Sequence, residues 1–215
     1  MPENKQLKLI MVGQMATGKT SLSDYLQENY HATAWTVAEM IKRISHALVD
    51  HNGDLEKYLE TTFPQEEEQR RALKQLLAFA NRYKREAGKP RQLYQEVGEI
   101  GREINRHCWE EELMQRVASS PSDFILVDDV RSKEGFNFFT SRGFKSVKLV
   151  ADLNVRKKRL LQRDGVLPND SVFIHVSETE METFPTDYHI HNESDNLSEP
   201  IHELNKIIAI LQQSH

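Results

Sequence analysis

Gly13-Gln14-Met15-Ala16-Thr17-Gly18-Lys19-Thr20 fits the pattern G-x-x-x-x-G-K-[ST] and decides the reading of this 215-residue chain. Ahead of it runs Leu7-Lys8-Leu9-Ile10-Met11-Val12, a mostly apolar hexamer of strand length. Behind it, Leu22, Tyr25 and Leu26 recur at the i, i+3, i+4 spacing of one helix face. Strand, glycine-rich loop and helix, in that order, are the context the pattern requires. Gly13 and Gly18 permit backbone angles that turn successive N–H groups toward a phosphate at the positive end of the following helix. Lys19 can reach the β- and γ-phosphates, and the Thr20 hydroxyl can sit on Mg2+. The stretch therefore predicts a nucleoside triphosphate site. Gly13, Ala16, Thr17, Gly18, Lys19, Thr20 and Ser21 are expected to form it, with ATP and Mg2+ as cofactors. A glycine turn that merely joins strand to helix is the plainer alternative, and the flanking elements weigh against it.

Composition narrows the rest. The chain carries 28 Lys and Arg against 33 Asp and Glu, a formal net charge of −5. That balance argues against a dedicated nucleic-acid binder, although local basic clusters can still hold phosphates. Cys108 is the single cysteine, so no intrachain disulfide is available and no cysteine cluster suggests zinc. Beside Trp109 in a helical pattern, it reads as a buried thiol. No apolar run approaches membrane-spanning length, and Met1 to Gln6 is polar, unlike a signal peptide. The expectation is a cytoplasmic enzyme with neither membrane nor nucleic-acid partners. The length suits one α/β domain with room for a helical insertion.

Thr33 to Val37 reads as a second short strand or as an extended approach to the next helix. Val37, Met40, Ile41, Ile44 and Leu48 then recur at helical spacing, and Asn52-Gly53 signals a stop. Residues 54–85 are charged and helix-favouring, broken at Phe63-Pro64, and Gly88-Lys89-Pro90 ends them. Leu93, Val97, Ile100 and Ile104 line a long helix, and Trp109, Leu113 and Val117 are expected to continue it. Phe124-Ile125-Leu126-Val127-Asp128-Asp129 is a buried-type strand whose carboxyl end carries two acids. A helix over 134–141, a strand over 145–150, a basic helix over 154–163, a short strand at 188–192 and an amphipathic helix over 200–213 complete the chain. The order βα, a block of helices, then βαβαβα predicts a parallel sheet flanked by helices. Ligands sit beyond the carboxyl ends of such strands. The block at 37–118 reads as a helical insertion that binds the acceptor, and 154–170 as a lid.

The strand ending at Asp128-Asp129 supplies the usual Mg2+ carboxylate of a nucleotide site. Strand register allows only one of the two to point inward; Asp129, nearer the loop, is favoured over Asp128. Arg131 can clamp a phosphoryl oxygen bidentately. Arg156, Arg159 and Arg163 fall at i, i+3 and i+7, so they share a helix face whose like charges an anion would offset. In phosphoryl transfer such cations supply much of the catalysis. Lys19, Arg131, Arg159 and Arg163 are thus the expected catalytic cations, and Arg156 an ATP-binding one. Gly98 and Gly101 sit inside a helical pattern at a cost of about 1 kcal/mol each against alanine. Close helix packing or a substrate's approach would explain them. Gln95, Gly98 and Arg102 are spaced to line one face, and Arg43 is a further acceptor candidate. His175, Ser177 and Glu178 lie in a polar turn, where His175 reads as structural or substrate-positioning.

Gln95 to Arg102, then Trp109, then Val127-Asp128-Asp129-Val130-Arg131, resemble the phage-type deoxynucleoside monophosphate kinases. Those carry a glutamine, a Gly-Thr-Glu-x-x-Gly-Arg run, a downstream tryptophan and an Asp-Asp-Val-Arg strand end. Here the run reads Gly98-Glu99-Ile100-Gly101-Arg102, without the threonine and shorter. The His175-x-Ser177-Glu178 turn and the Asp187-x-x-Ile190-x-Asn192 segment are also similar. The resemblance implies an adenylate-kinase-like P-loop NTPase fold that passes the γ-phosphate of ATP to a nucleoside monophosphate. By it, Arg102 and Arg131 hold the acceptor phosphate, Gln95 lies near the acceptor base and Asn192 near the donor adenine. Animal-type phosphomevalonate kinases share the overall plan, and dephospho-coenzyme A kinases share the fold. The expected partner is thus a small-molecule phosphate acceptor, with self-association as a homodimer left open. The rival from another class is a P-loop regulator with no acceptor. A GTPase switch is disfavoured, because no Asn-Lys-x-Asp is present.

Overall fold

The computed structural model describes residues 6–50, 91–170, 173–174, 176–194 and 196–213. The turn at Asn52-Gly53, the charged stretch at 54–85, the Gly88-Lys89-Pro90 break and His175 lie outside them. The chain divides into two compact units, Met1–Thr36 with Ser120–His215, and Val37–Ser119.

The first unit is built on a five-stranded sheet in the order β2-β3-β1-β4-β5 among the described residues. Its strands are β1 (Leu7–Val12), β2 (Thr33–Trp35), β3 (Phe124–Val127), β4 (Lys145–Val150) and β5 (Tyr188–His191). Every pairing is parallel, with Leu7 opposite Phe124, Met11 opposite Val147 and Leu149 opposite Ile190. A central parallel strand is covered on both faces, which is why β1 is apolar at nearly every position. Helix α1 (Lys19–Tyr30) follows β1 directly. Leu9, Met11, Leu22, Leu26, Val147, Leu149 and Ile190 form one core with Leu204, Ile208 and Leu211 of the last helix, Ser198–Gln213. The hydroxyls of Tyr25 and Tyr30 both donate to Asn205 Oδ1 of that helix, at 3.1 and 2.9 Å. By strand alternation Ile10 and Val12 face the other side. The helix after β3, Lys133–Thr140, starts on the Ser132 hydroxyl, which accepts from Gly135 N–H at 3.1 Å.

The second unit contains α2 (Val37–Asp50), α3 (Arg91–Ile104) and α4 (Cys108–Ala118). Met40, Leu93, Val97, Trp109, Leu113 and Val117 are buried in it. The helix at 91–104 does not run on through Trp109. Asn105 breaks it: its side-chain oxygen accepts from His107 N–H at 2.9 Å and its amide donates to Glu111 Oε2 at 2.7 Å. A side chain that bonds local backbone in this way competes with the helix ladder. Trp109 is fully buried, and its indole N–H donates to Gly98 O at 3.0 Å. Cys108 is buried as expected, and burial pushes its thiol pKa well up. No helix among the described residues is long and apolar enough to cross a membrane.

Candidate active site at the phosphate loop

The loop between β1 and α1 has the backbone its sequence predicts. Gly13 has φ 156° and Gly18 φ 101°, with Ala16 at φ 62° between them. A Cβ on Gly13 would sit 2.7 Å from Leu149 O, and one on Gly18 would run into the Asn192 amide. Gly18 caps α1, so Thr20 and Ser21 stand exposed on the first turn of that helix. Thr17 is buried, its hydroxyl donating to Gln14 O at 2.8 Å. Lys19 Nζ folds back on Gly13 O and reaches Gln14 O at 3.4 Å. Burial and the Arg131 guanidinium bring the Lys19 pKa down to about 8, while Glu178, Asp128 and Asp129 pull it upward.

Asp128 and Asp129 lie just past β3, since that strand ends at Val127. Both are half-buried and both act on Lys19, Asp128 more strongly than Asp129. Arg131 is half-exposed, with Nη1 donating to Glu178 Oε1 at 3.0 Å. Loop, acid pair and arginine thus meet at the carboxyl edge of neighbouring strands.

Three links that the sequence did not foretell fasten the loop. Asn192, buried at the end of β5, donates from Nδ2 to Thr17 O at 2.8 Å. Arg159 donates to Asn192 O at 2.9 Å, Asn192 Oδ1 at 3.0 Å, Ser194 O at 2.6 Å and Ala16 O at 3.3 Å. Glu178, on a short helix (Val176–Thr179), accepts from Met15 N–H at 2.7 Å. The following 3-10 turn (Glu180–Thr183) adds a fourth contact, Gln14 Nε2 to Glu182 Oε1 at 2.9 Å. A pocket of about 300 Å³ opens beside the loop, lined in part by Gly13, Gln14, Lys148, Met181 and His189. Lys148 is buried there, its ammonium on Glu182 O and Phe184 O at 2.9 and 3.0 Å.

The three arginines of the basic helix, Leu153–Asp164, differ in environment although their spacing puts them on one face. Arg156 is buried, 5% exposed, and its Nε and Nη1 have no hydrogen-bond partner among the described residues. Its pKa is lowered by burial and held up by Glu178 and Glu182. Arg159 is half-buried in the loop network described above. Arg163 is exposed and paired with the adjacent Asp164 at 2.7 Å. Of the acceptor candidates, Arg43, Gln95 and Arg102 are exposed within the second unit, and Gly98 is buried. A Cβ on Gly98 would meet Ile41 Cδ1 at 3.3 Å, and one on Gly101 would overlap the Trp109 indole. Helix packing therefore accounts for both glycines.

No family model and no curated protein matches the chain. Solved structures do. TT1252 from Thermus thermophilus aligns with a TM-score of 0.52 at 14% identity, over 96% of this chain and 99% of that one. A gluconokinase from Sinorhizobium meliloti 1021 gives 0.51 at 14% identity, over 98% and 99%. A dephospho-CoA kinase from Campylobacter jejuni gives 0.47 at 14% identity, over 94% and 96%, a score too low to weigh. At such identities the likeness shows the fold alone: α/β, a parallel sheet flanked by helices.

Proposed function

We propose that this chain is a small-molecule kinase that transfers the γ-phosphate of ATP to a nucleoside monophosphate, a deoxynucleoside monophosphate foremost. One observation carries the kinase reading. A left-handed phosphate loop, a depressed Lys19, an acid pair and Arg131 converge at one sheet edge. The N–H groups of the loop and the start of α1 form a cradle for polyphosphate. The residues suit Mg2+ as well. The Thr20 hydroxyl is exposed on the first helical turn, and Asp129 or Asp128 stands beyond β3. Mg2+ bound there would neutralise charge on the transferring group.

The chain's own residues then have distinct tasks. Lys19 leaves its loop carbonyls for the β- and γ-phosphates. Arg131 offers guanidinium N–H groups to the phosphoryl oxygens, and Arg156 brings two nitrogens unpartnered among the described residues. An acceptor oxygen bonds to the γ-phosphorus as the bond to the β-phosphate oxygen breaks, and ADP leaves. A phosphate-monoester acceptor, with a second pKa near about 6, needs no strong base at neutral pH. Arg43, Gln95 and Arg102 are proposed to bind that acceptor, whereas Gly98, expected from the sequence to join them, is buried against Ile41. Arg159 and Arg163 are proposed as catalytic cations, and Asn192 as a neighbour of the donor adenine. A cytoplasmic setting is part of the same reading.

The test is incubation with ATP, Mg2+ and a panel of ribo- and deoxynucleoside monophosphates, with phosphomevalonate, dephospho-coenzyme A and gluconate added. Mass spectrometry then shows which acceptor gains a phosphoryl group. A phosphorylated nucleotide is expected. Phosphorylation of another acceptor would keep the kinase and replace its substrate. Bound ATP with no phosphorylated acceptor would favour a P-loop regulator.

A further inference from the structure

Glu178 is a carboxylate with only 3% of its surface exposed. A buried charge is costly unless every oxygen is engaged. Here the two oxygens serve different elements: Oε2 accepts the Met15 N–H of the phosphate loop, and Oε1 accepts Arg131 Nη1. Met15 lies in the loop after β1, and Arg131 in the loop after β3. Those strands are neighbours, with Ile10 opposite Val127. One side chain thus spans the two loops that the kinase reading assigns to donor binding and to phosphoryl contact.

The support beneath Glu178 is fixed independently. Gln14 Nε2 bonds Glu182 Oε1, and the Lys148 ammonium bonds Glu182 O and Phe184 O. Phe184 in turn packs on Phe136 with ring centroids 4.8 Å apart. Arg131, by contrast, has a side chain 52% exposed, so little packing restrains its rotamers. Its bond to Glu178 uses one guanidinium nitrogen of three, and the remaining N–H groups stay available to oxygens. Both groups also act on Lys19, Arg131 lowering its pKa and Glu178 raising it.

The geometry points to Glu178 as a positioning residue that ties Arg131 to the phosphate loop, so that the guanidinium meets the transferring phosphoryl group in one orientation. This rests on the kinase reading. Glu178 touches neither substrate; it acts through Arg131.

A double-mutant cycle tests it, using Glu178→Gln, Arg131→Ala and their combination in the full chain. The amide of Glu178→Gln has a single accepting oxygen and no charge, so it can accept from Met15 N–H or from Arg131 Nη1 but cannot hold both at once. Turnover is measured on whichever acceptor of the panel the wild type phosphorylates, and the Mg2+-ATP dissociation constant by calorimetry. Glu178→Gln is expected to lower kcat roughly tenfold with ATP affinity changed less than about threefold, and to add no loss on top of Arg131→Ala. Unchanged kcat, or losses that multiply, would overturn the inference and leave the kinase reading intact. If no panel acceptor is phosphorylated, the kinase reading fails on that result. The same cycle on Mg2+-ATP affinity then decides the role of Glu178, since equal effects of Arg131→Ala in both backgrounds overturn it. A wild type that binds no Mg2+-ATP overturns both. Should Glu178→Gln not fold by circular dichroism, Glu178→Asp replaces it, keeping the charge and shortening the reach by one methylene.

Discussion

The side-chain amide of Asn192 donates to the carbonyl oxygen of Thr17 at 2.8 Å, joining the end of β5 to the phosphate loop from behind. That carbonyl must point away from the phosphates if the loop N–H groups are to point toward them. Arg159 reinforces the arrangement by bonding both Asn192 and Ala16 O. Asn192→Ala leaves a buried acceptor unpaired and should cost about 1–3 kcal/mol of stability. It should also weaken Mg2+-ATP binding, because the loop loses the partner that holds its orientation. Urea denaturation and calorimetry check the two effects; unaltered ATP affinity would mean that the loop keeps its shape without Asn192.

Lys19→Met should abolish phosphoryl transfer and yet raise the stability of the nucleotide-free protein. In the folded state burial, then Arg131, bring the ammonium from 10.5 to about 8. A base with a depressed folded pKa releases its proton first in the folded protein. Between about pH 8 and 10.5 the unfolded chain therefore binds more protons, and wild-type stability rises with pH through that window. The variant has no such rise. Its advantage, largest below pH 8, should shrink above it, and a constant gap in urea denaturation at the two ends of that window would refute the assignment.

Gly101→Ala and Gly98→Ala should behave differently although they lie on the same helix. At Gly101 the new methyl overlaps the buried Trp109 ring, and overpacking of this kind costs typically about 1–3 kcal/mol. At Gly98 the neighbour is the end of the Ile41 side chain at 3.3 Å, which can shift. The gain of roughly 1 kcal/mol in helix propensity then offsets much of the crowding. Denaturation monitored by tryptophan fluorescence separates the two, and equal losses would count against the packing account.

Asp187 supplies an acid-sensitive contact at the start of β4. Burial pulls its carboxyl pKa up, but the Ser146 hydroxyl and N–H, at 2.6 and 2.9 Å, and Lys145 together hold it below the usual value. A carboxylate with a depressed folded pKa stabilises above its unfolded pKa, and the benefit is lost as pH falls through the folded one. Asp187→Asn should therefore be less stable than wild type at neutral pH, with the difference closing on acidification below pH 3.8. A difference independent of pH would refute this.

The fold was legible because its signals are local. The apolar hexamer at β1, the loop pattern and the run Phe124–Val127 each announce an element within a few residues, and their order implies the parallel sheet. What escaped depends on distant partners or on local competition. Asn105 interrupts a helix whose apolar spacing continues past it, because its side chain bonds backbone and Glu111 instead. The periodicity that placed Arg156, Arg159 and Arg163 on one face says nothing of burial, and the three end up buried, half-buried and exposed. Glu178 was visible only as part of a polar turn. Its contact with Met15 spans a separation of 163 residues, and no pattern around either residue reports it.

The strand that carries the phosphate loop is made early and completed late. Leu7 to Ile10 find their β3 partners at Phe124 to Val127, and Thr17 finds Asn192 across 175 positions. Pairings so distant make folding slow, because the intervening chain must be closed before any contact rewards it. A nascent chain adds about 5–20 residues each second, so the loop waits roughly 9–35 s for its support to be synthesised. Nucleotide affinity should accordingly appear in one step, once the chain has been synthesised past Asn192, rather than growing as the loop and its helix emerge.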